Sequence, residues 1–252
     1  MTTEREATET SETGLTDPPP RTHRWGFGAF LVVYAVLVLS AVVIGAIVGI
    51  VAPNAPTSST VVLLGTMVPT VLAAATALLV TKLRGNGPKL DLRWSFHRDD
   101  LRTGFKFGAL GLVCTTVAAV LWTKIVGDEN ASSAVGRLVE NERMPLAAAV
   151  TMFLFVWLLA PICEEVIYRG LLWGALERLK WGRWAVFTLT TVIFAISHLE
   201  PLRTSLLLVI GIPIGLARLF TGRLGASIVA HQINNFLPAL AVLLVAVGAM
   251  PA

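Results

Sequence analysis

The stretch that decides the fold is residues 145–169, which reads PLAAAVTMFLFVWLLAPICEEVIYR. The eighteen residues from Leu146 to Cys163 carry no charge, and Glu164, Glu165 and Arg169 follow directly. An uncharged apolar run of this length is typical of a helix that crosses a lipid bilayer. The stretch therefore predicts a membrane-spanning helix that carries ionisable side chains within its apolar surroundings.

The composition of the whole chain agrees with this interpretation. Of its 252 residues, 55% are hydrophobic and 14% are charged, whereas soluble domains have roughly 45–50% and about 25%. This excess excludes a soluble domain and predicts one polytopic membrane domain. The net charge is +4, but the basic residues form short clusters between apolar runs. That pattern suits lipid headgroups and topology signals, so we expect the lipid bilayer and no nucleic acid as a partner.

Two segments of different composition make up the chain. Residues 1–24 are rich in Thr, Glu and Pro and are predicted to form a disordered cytoplasmic tail. Residues 25–252 are predicted to form an all-α transmembrane domain, a polytopic bundle of about seven spanning helices, or eight. The expected spans are residues 25–52, 60–81, 104–126, 145–169, 184–198, 203–218 and 225–249. The fifth and sixth are shorter than the roughly 20 residues that a full span needs.

Basic residues alternate between the two sets of connections. Fifteen Lys and Arg residues lie in the tail and on alternate connections, whereas the opposite connections hold only Lys124, Arg137, Arg143 and Arg203. By the positive-inside rule this pattern predicts a cytoplasmic N-terminus and, with seven spans, a C-terminus outside. The Ala- and Arg-rich composition looks bacterial, so we expect a bacterial plasma membrane.

Ionisable groups inside apolar runs are the functional candidates, because each costs several kcal/mol in lipid unless it is paired or faces water. Glu165 and Arg169 are four residues apart with the acid first, the better order for an ion pair on a helix. Glu164 is rotated by about 100° from Glu165, so it does not share the line of Arg169. Glu164 is therefore left free for chemistry.

Two further apolar segments carry polar groups. His198 ends the fifth predicted helix, and His231 lies early in the seventh. His231 and Asn235 are four residues apart and project from one face of that helix. In a bundle, Glu164, His198 and His231 are expected to meet at one place. Each residue also has a structural interpretation, as a register-fixing ion pair, an interfacial histidine or a polar kink, but burying all of them without use is costly.

Three motifs in this order resemble a known family. They are E-E-x-x-x-R at residues 164–169, F-x-x-x-H at residues 194–198 and H-x-x-x-N at residues 231–235. On three successive apolar segments they are similar to those of the CAAX-protease and bacteriocin-processing (CPBP) family of intramembrane endopeptidases, also called the abortive-infection family. The resemblance covers about residues 145–240, the expected catalytic core. The lead-in to the last motif lacks a tryptophan often found in that family.

The resemblance implies a role for each motif residue. Glu164 and His198 would activate a water molecule, His231 and Asn235 would stabilise the oxyanion, and Glu165 and Arg169 would support the site. The implied substrate is a membrane-associated protein or peptide. Preorganised donors of this kind contribute about 2.7–4 kcal/mol to such reactions.

The sequence does not decide whether a metal takes part, and it leaves two other functions open. If a zinc ion takes part, Glu164, His198 and His231 would be its ligands, a His₂Glu set known from catalytic zinc sites. The H-E-x-x-H helix typical of many zinc proteases is absent, so we favour the metal-free form. The first alternative function is a non-proteolytic membrane scaffold or bacteriocin-immunity protein. The second, which the sequence favours less, is a proton-coupled transporter.

Overall fold

A computed structural model describes residues 23–51, 58–127, 133–140 and 143–250. Over this part of the chain the secondary structure is helical, without strands. The α-helices are α1 Phe27–Val51, α2 Ser59–Arg84, α3 Pro88–Asp91, α4 Arg98–Val126, α5 Ala134–Glu140, α6 Leu146–Leu154, α7 Ala160–Glu165, α8 Trp173–Arg178, α9 Arg183–Ile196, α10 Thr204–Thr221 and α11 Leu224–Ala246. The tail predicted to be disordered lies outside the described residues, apart from its last two.

Six stretches of the described residues are long and apolar enough to cross a membrane. They are Phe27–Val51, Ser59–Arg84, Arg98–Val126, Leu146–Arg178, Pro201–Thr221 and Leu224–Ala246. Helix α9, with fourteen residues, is a shorter apolar helix. The predicted all-α membrane bundle of about seven helices is confirmed, with six long spans and one short one.

One end of the bundle, which we call the basic end, collects Arg24, Arg84, Arg178 and Arg223. The backbone N–H of Arg24 donates to the carbonyl of Arg84 at 2.7 Å, and Arg178 Nη1 donates to the carbonyl of Trp25 at 2.6 Å. These bonds join segments that are distant in sequence. The connections predicted to be positively charged therefore lie together in space, although the cytoplasmic orientation of the N-terminus stays a prediction.

The opposite end is held by bonds between the other connections. The backbone N–H of Met144 donates to the carbonyl of Ala246 at 2.9 Å, and Trp122 Nε1 donates to the carbonyl of Leu202 at 3.0 Å. Connections therefore alternate between the two ends along the chain. A chain with seven membrane-crossing segments, of which α9 is the fifth, requires this alternation.

Helix α4 begins at Arg98, earlier than the predicted Gly104, because its first turn is polar and not apolar. The carboxylate of Asp100 accepts the backbone N–H of His97 at 2.9 Å. The same carboxylate is buried and forms a 2.7 Å salt bridge with Arg223. An acid that caps the first turn and pairs with an arginine extends the helix beyond its apolar part.

Helices α4 and α11 pack along a seam of glycines. A Cβ atom added at Gly104 would lie 2.6 Å from Val229 Cβ, and one at Gly108 would lie 2.8 Å from Ile233 Cβ. Small residues at this spacing let helix backbones approach closely in a membrane. The seam fixes α11, and with it His231, against the rest of the bundle.

The span Leu146–Arg178 forms the centre of the bundle, and every residue from 165 to 176 is buried. Two π-helical stretches, Phe155–Leu159 and Val166–Leu172, interrupt it on either side of α7. Pro161 lacks the N–H that an α-helix would use there, which is a known cause of such interruptions. Wider turns of this type are frequent at functional sites, and the interrupted segment carries both glutamates and Arg169.

Helix α9 ends inside the bundle. The hydroxyl of Tyr34 donates to the carbonyl of Ser197 at 3.4 Å, and Tyr34 lies in the third turn of α1. At 1.5 Å per residue this contact is about 11 Å along α1. His198, directly after α9, is therefore positioned within the depth of the bundle.

Candidate functional site

The carboxylate of Glu165 is the centre of a buried polar cluster. Its Oε1 accepts a hydrogen bond from Arg169 Nη1 at 3.1 Å and lies 3.0 Å from His231 Nδ1. Glu165 and Arg169 are fully buried, and His231 is 2% exposed. The ion pair predicted from the spacing of Glu165 and Arg169 is present. The contact with His231 joins the first motif to the last.

Arg169 is held by further contacts. Its Nη2 donates to the carbonyl of Gly211 in α10 at 3.2 Å, and its guanidinium lies 4.5 Å from the centre of the Phe194 ring in α9. A buried charge is tolerated when it is paired and hydrogen-bonded in this way. Arg169 thus links three helices and fixes the position of Glu165.

His231 lies between the two glutamates. Because Nδ1 faces the carboxylate of Glu165, it carries a proton and donates, which leaves Nε2 on the opposite side of the ring. His231 Nε2 lies 3.6 Å from Glu164 Oε2. The side chain of Glu164 is 23% exposed, so Glu164, unlike Glu165, is accessible.

A cavity of about 190 Å³ adjoins Glu164 and His198, with Thr70, Tyr168 and Ser197 also in its wall. Since a water molecule takes about 30 Å³ in the liquid, this volume has room for several. Glu164 and His198 therefore line the same cavity, and the His231 side chain is next to that of Glu164. The sequence predicted this convergence of three helices, and the structure brings the residues together.

The orientation of His198 is set by the end of α9. Its Nδ1 lies 2.7 Å from the carbonyl of Phe194, so Nδ1 donates and Nε2 is left as an acceptor. The next residue, Leu199, has a φ of 55°, in the left-handed region that a leucine rarely adopts. Backbone strain of this kind is often found at functional positions.

Tyr168 and Ser197 belong to the same cavity but were not among the predicted site residues. Their hydroxyl oxygens are 2.6 Å apart, and Ser197 Oγ donates to the carbonyl of Phe194 at 2.9 Å. Tyr168 therefore donates to Ser197. Each lies directly before a motif residue, Arg169 or His198, and a hydroxyl in an otherwise apolar run was the signal available in the sequence.

Asn235 contacts the fourth span. Its amide Nδ2 donates to the carbonyl of Val156 at 3.2 Å, within the first π-helical stretch. The neighbouring Asn234 is buried, and its Oδ1 accepts from Thr115 Oγ1 at 3.1 Å. The two asparagines thus tie α11 to the fourth span and to α4, and the role of Asn235 at an oxyanion stays a prediction.

The predicted zinc ligands do not form a metal-binding set as they lie. Within the described residues, no group of three His, Cys, Asp or Glu side chains lies close enough to hold a metal ion. Glu164 and His231 form a pair, and the Nδ1 contacts of both histidines leave only Nε2 of each ring to face a ligand, but no third such side chain of the described residues completes a set. The described arrangement does not fit zinc, and we derive no step through a metal.

The fold and the cluster define a class of protein, a multi-pass membrane protein with an acid–imidazole centre beside a polar cavity. Residues 146–237 match the family model described as type II CAAX prenyl endopeptidase Rce1-like. The chain is 26% identical over 172 residues to the membrane-embedded CAAX protease MroQ of Staphylococcus aureus (strain USA300), which is 65% of this chain and 68% of that protein. No solved structure matches the chain.

The family-model match covers all three motifs, since residues 146–237 run from the start of α6 to beyond Asn235. Residues 146–237 are thus similar to a family of type II CAAX prenyl endopeptidases, and the chain is also similar to a membrane-embedded protease.

Proposed function

We propose that this chain is an intramembrane endopeptidase that hydrolyses a peptide bond of a membrane-associated protein or peptide. The observation that carries the proposal is the meeting of Glu164 and His198 at one cavity, with His231 3.6 Å from Glu164. The family match supports the same activity. The cavity lined by Glu164 and His198 has room for the water that hydrolysis needs within apolar surroundings.

Glu164 is the general base in this proposal. A water molecule between Glu164 and His198 gives one proton to the Glu164 carboxylate as its oxygen attacks the scissile carbonyl carbon. The electron pair of the carbonyl double bond moves to its oxygen. His198 Nε2, left as an acceptor by the bond from Nδ1 to Phe194, orients the water through the second O–H. Glu164 then passes its proton to the leaving amine nitrogen as the electron pair on the oxyanion re-forms the carbonyl double bond and the C–N bond breaks, which leaves a carboxylic acid and an amine.

His231 and Asn235 are the oxyanion donors in this proposal. The carboxylate of Glu165 holds the His231 ring through Nδ1, and Nε2–H is the donor that we assign to the developing negative charge. Asn235 has two amide hydrogens, and one is used by Val156. Its second N–H is the one we assign to the oxyanion.

The decisive experiment is Glu164→Gln, which keeps the shape of the side chain and removes the base. We expect cleavage of candidate membrane substrates in reconstituted vesicles to fall by about 10²- to 10⁴-fold, the usual contribution of a general base. The thermal unfolding temperature should change little, because Glu164 is partly exposed. Glu177→Gln at the basic end is the matched control and should keep its activity.

The same experiment separates the alternatives. If Glu164→Gln leaves the physiological activity intact, the protein is a non-proteolytic scaffold or immunity protein. If substrate flux across the vesicle disappears while no cleavage product is formed by the wild type, it is a transporter.

We place the protein in a bacterial plasma membrane with the N-terminus in the cytoplasm. The bacterial source of the relative and the clustering of arginines at the basic end support this placement. Labelling of a cysteine introduced at Arg24, from either side of intact cells, tests the orientation.

A further inference from the structure

A groove at the basic end, remote from Glu164, is unassigned by the proposed function. It has a volume of about 370 Å³ and lies between the first turns of α1 and the last turns of α2. Its wall includes Arg24, Gly28, Ala29, Val32, Val80 and Arg84. The groove therefore combines two cations with an apolar wall.

The two arginines belong to one local structure. The backbone N–H of Arg24 donates to the carbonyl of Arg84 at 2.7 Å, so both side chains start from adjoining backbone. Both residues are exposed. The salt bridges found among the described residues involve neither side chain. Two guanidinium groups that line one groove, with no carboxylate of the described residues in a salt bridge to either, offer the donors that a phosphate group accepts.

The wall below the arginines is apolar and open. A Cβ atom added at Gly28 would meet nothing within 4 Å, and Val32 is 55% exposed. These residues lie in the first turns of α1, an apolar helix long enough to span the membrane. A soluble phosphate would use the arginines but not this wall, whereas a hydrocarbon chain would use the wall.

We propose that this groove binds an anionic glycerophospholipid, with the lipid phosphate between Arg24 and Arg84 and an acyl chain along Gly28, Val32 and Val80. Charge complementarity at the top and apolar contact below select this class of ligand. The inference does not depend on the proteolytic function.

The test uses the full-length protein in nanodiscs of phosphatidylcholine with increasing phosphatidylglycerol. Bound lipid is counted by native mass spectrometry, and the affinity is measured with fluorescent phosphatidylglycerol. A basic residue near an anionic surface is worth about a fivefold change in affinity. We therefore expect Arg24→Gln or Arg84→Gln to weaken binding about fivefold, and both together about 25-fold.

Two controls keep the proposal falsifiable. Arg98→Gln with Arg102→Gln removes the same charge from exposed positions at the start of α4 and should change the affinity less than twofold. Gly28→Leu fills the groove and should abolish binding, whereas Gly45→Leu, where a Cβ atom also meets nothing within 4 Å, should not. Leucine is a better helix former than glycine, so both leucine variants should fold.

Three outcomes would overturn the proposal. An equal loss from both arginine pairs would mean general surface charge, and unchanged binding by Gly28→Leu would mean another site. If the wild type binds phosphatidylglycerol no more tightly than phosphatidylcholine, Arg24 and Arg84 do not select an anionic headgroup.

Discussion

Glu165 accepts hydrogen bonds from a guanidinium and an imidazole in a place without access to solvent. This arrangement makes the two neighbouring glutamates chemically different. Glu165 is committed to Arg169 and His231, and Glu164 is left with access to the cavity. Glu164 and Glu165 differ in their surroundings because adjacent residues of a helix point in directions about 100° apart.

Arg169→Met tests the buried pair. It leaves the carboxylate of Glu165 buried without its cation, and breaking a buried ion pair in this way costs about 3–5 kcal/mol. We expect a loss of that size in the free energy of unfolding, measured by denaturant titration in detergent.

The double variant Glu165→Gln/Arg169→Met is the control, because replacing both partners of a buried pair costs much less than removing one. It should recover most of the stability but not the cleavage activity, since His231 loses its charged acceptor. A double variant as unstable as Arg169→Met would contradict this explanation.

Tyr168→Phe removes a hydroxyl and keeps the ring that packs against Phe194 at 5.4 Å. The lost hydrogen bond to Ser197 should lower the free energy of unfolding by about 1 kcal/mol. We also expect slower cleavage, because Ser197 adjoins His198 at the end of α9. The drop should be smaller than that of Glu164→Gln.

Ser197→Ala completes a double-mutant cycle with Tyr168→Phe. If the two hydroxyls act through one another, the double variant is no worse than the more damaging single one. Fully additive losses would mean that they act separately.

Most of the site residues were predictable from the sequence, because a polar group in an apolar run is costly and therefore conspicuous. This reasoning found Glu164, Glu165, Arg169, His198 and His231. It did not find the bond between His231 and Glu165, since helix spacing gives only contacts within a helix. It also did not find the bond from Asn235 to Val156, which lies in a π-helical stretch that an ideal helix does not contain.

At the scale of elements, α4 and α11 depend on the absence of side chains between them. Gly104→Leu would place a Cβ atom 2.6 Å from Val229 Cβ and 2.7 Å from the carbonyl of Ala226. Overpacking of this kind costs about 1–3 kcal/mol or more. We expect a lower unfolding temperature and reduced cleavage, because α11 carries His231.

Gly45→Leu is the matched control for this change, because it makes the same substitution at an open position of α1. Its unfolding temperature should stay at or above that of the wild type. Equal losses from both variants would contradict the packing explanation.

The number and type of the elements were largely predictable, whereas their bounds were less so. Long uncharged runs identify the spans, but the start of α4 at Arg98 depends on a salt bridge between Asp100 and Arg223, which are far apart in sequence. The short helices α3 and α5 lie in polar connections, where apolar periodicity gives no signal. Such features are set by tertiary contacts.

At the scale of the whole molecule, the bundle separates two kinds of chemistry. The arginines and the proposed lipid groove lie at the basic end, and the acid–imidazole cluster lies within the bundle. The central span connects them, since it runs from Leu146 to Arg178 and carries Glu164 midway and Arg178 at the basic end. If the basic end is anchored at the membrane surface, the central span thus fixes how deep in the membrane the cavity beside Glu164 lies.

The fourteen residues of α9 have a consequence for the membrane itself. At 1.5 Å per residue this helix is about 21 Å long, against a hydrocarbon thickness of about 30 Å. Such hydrophobic mismatch is relieved when the surrounding bilayer thins. We expect cleavage to be fastest in phosphatidylcholines with 14-carbon chains and to decline steadily towards 22 carbons, and a rate independent of chain length would contradict this. Through one short helix, membrane thickness would then set where in a cell the proposed protease works best.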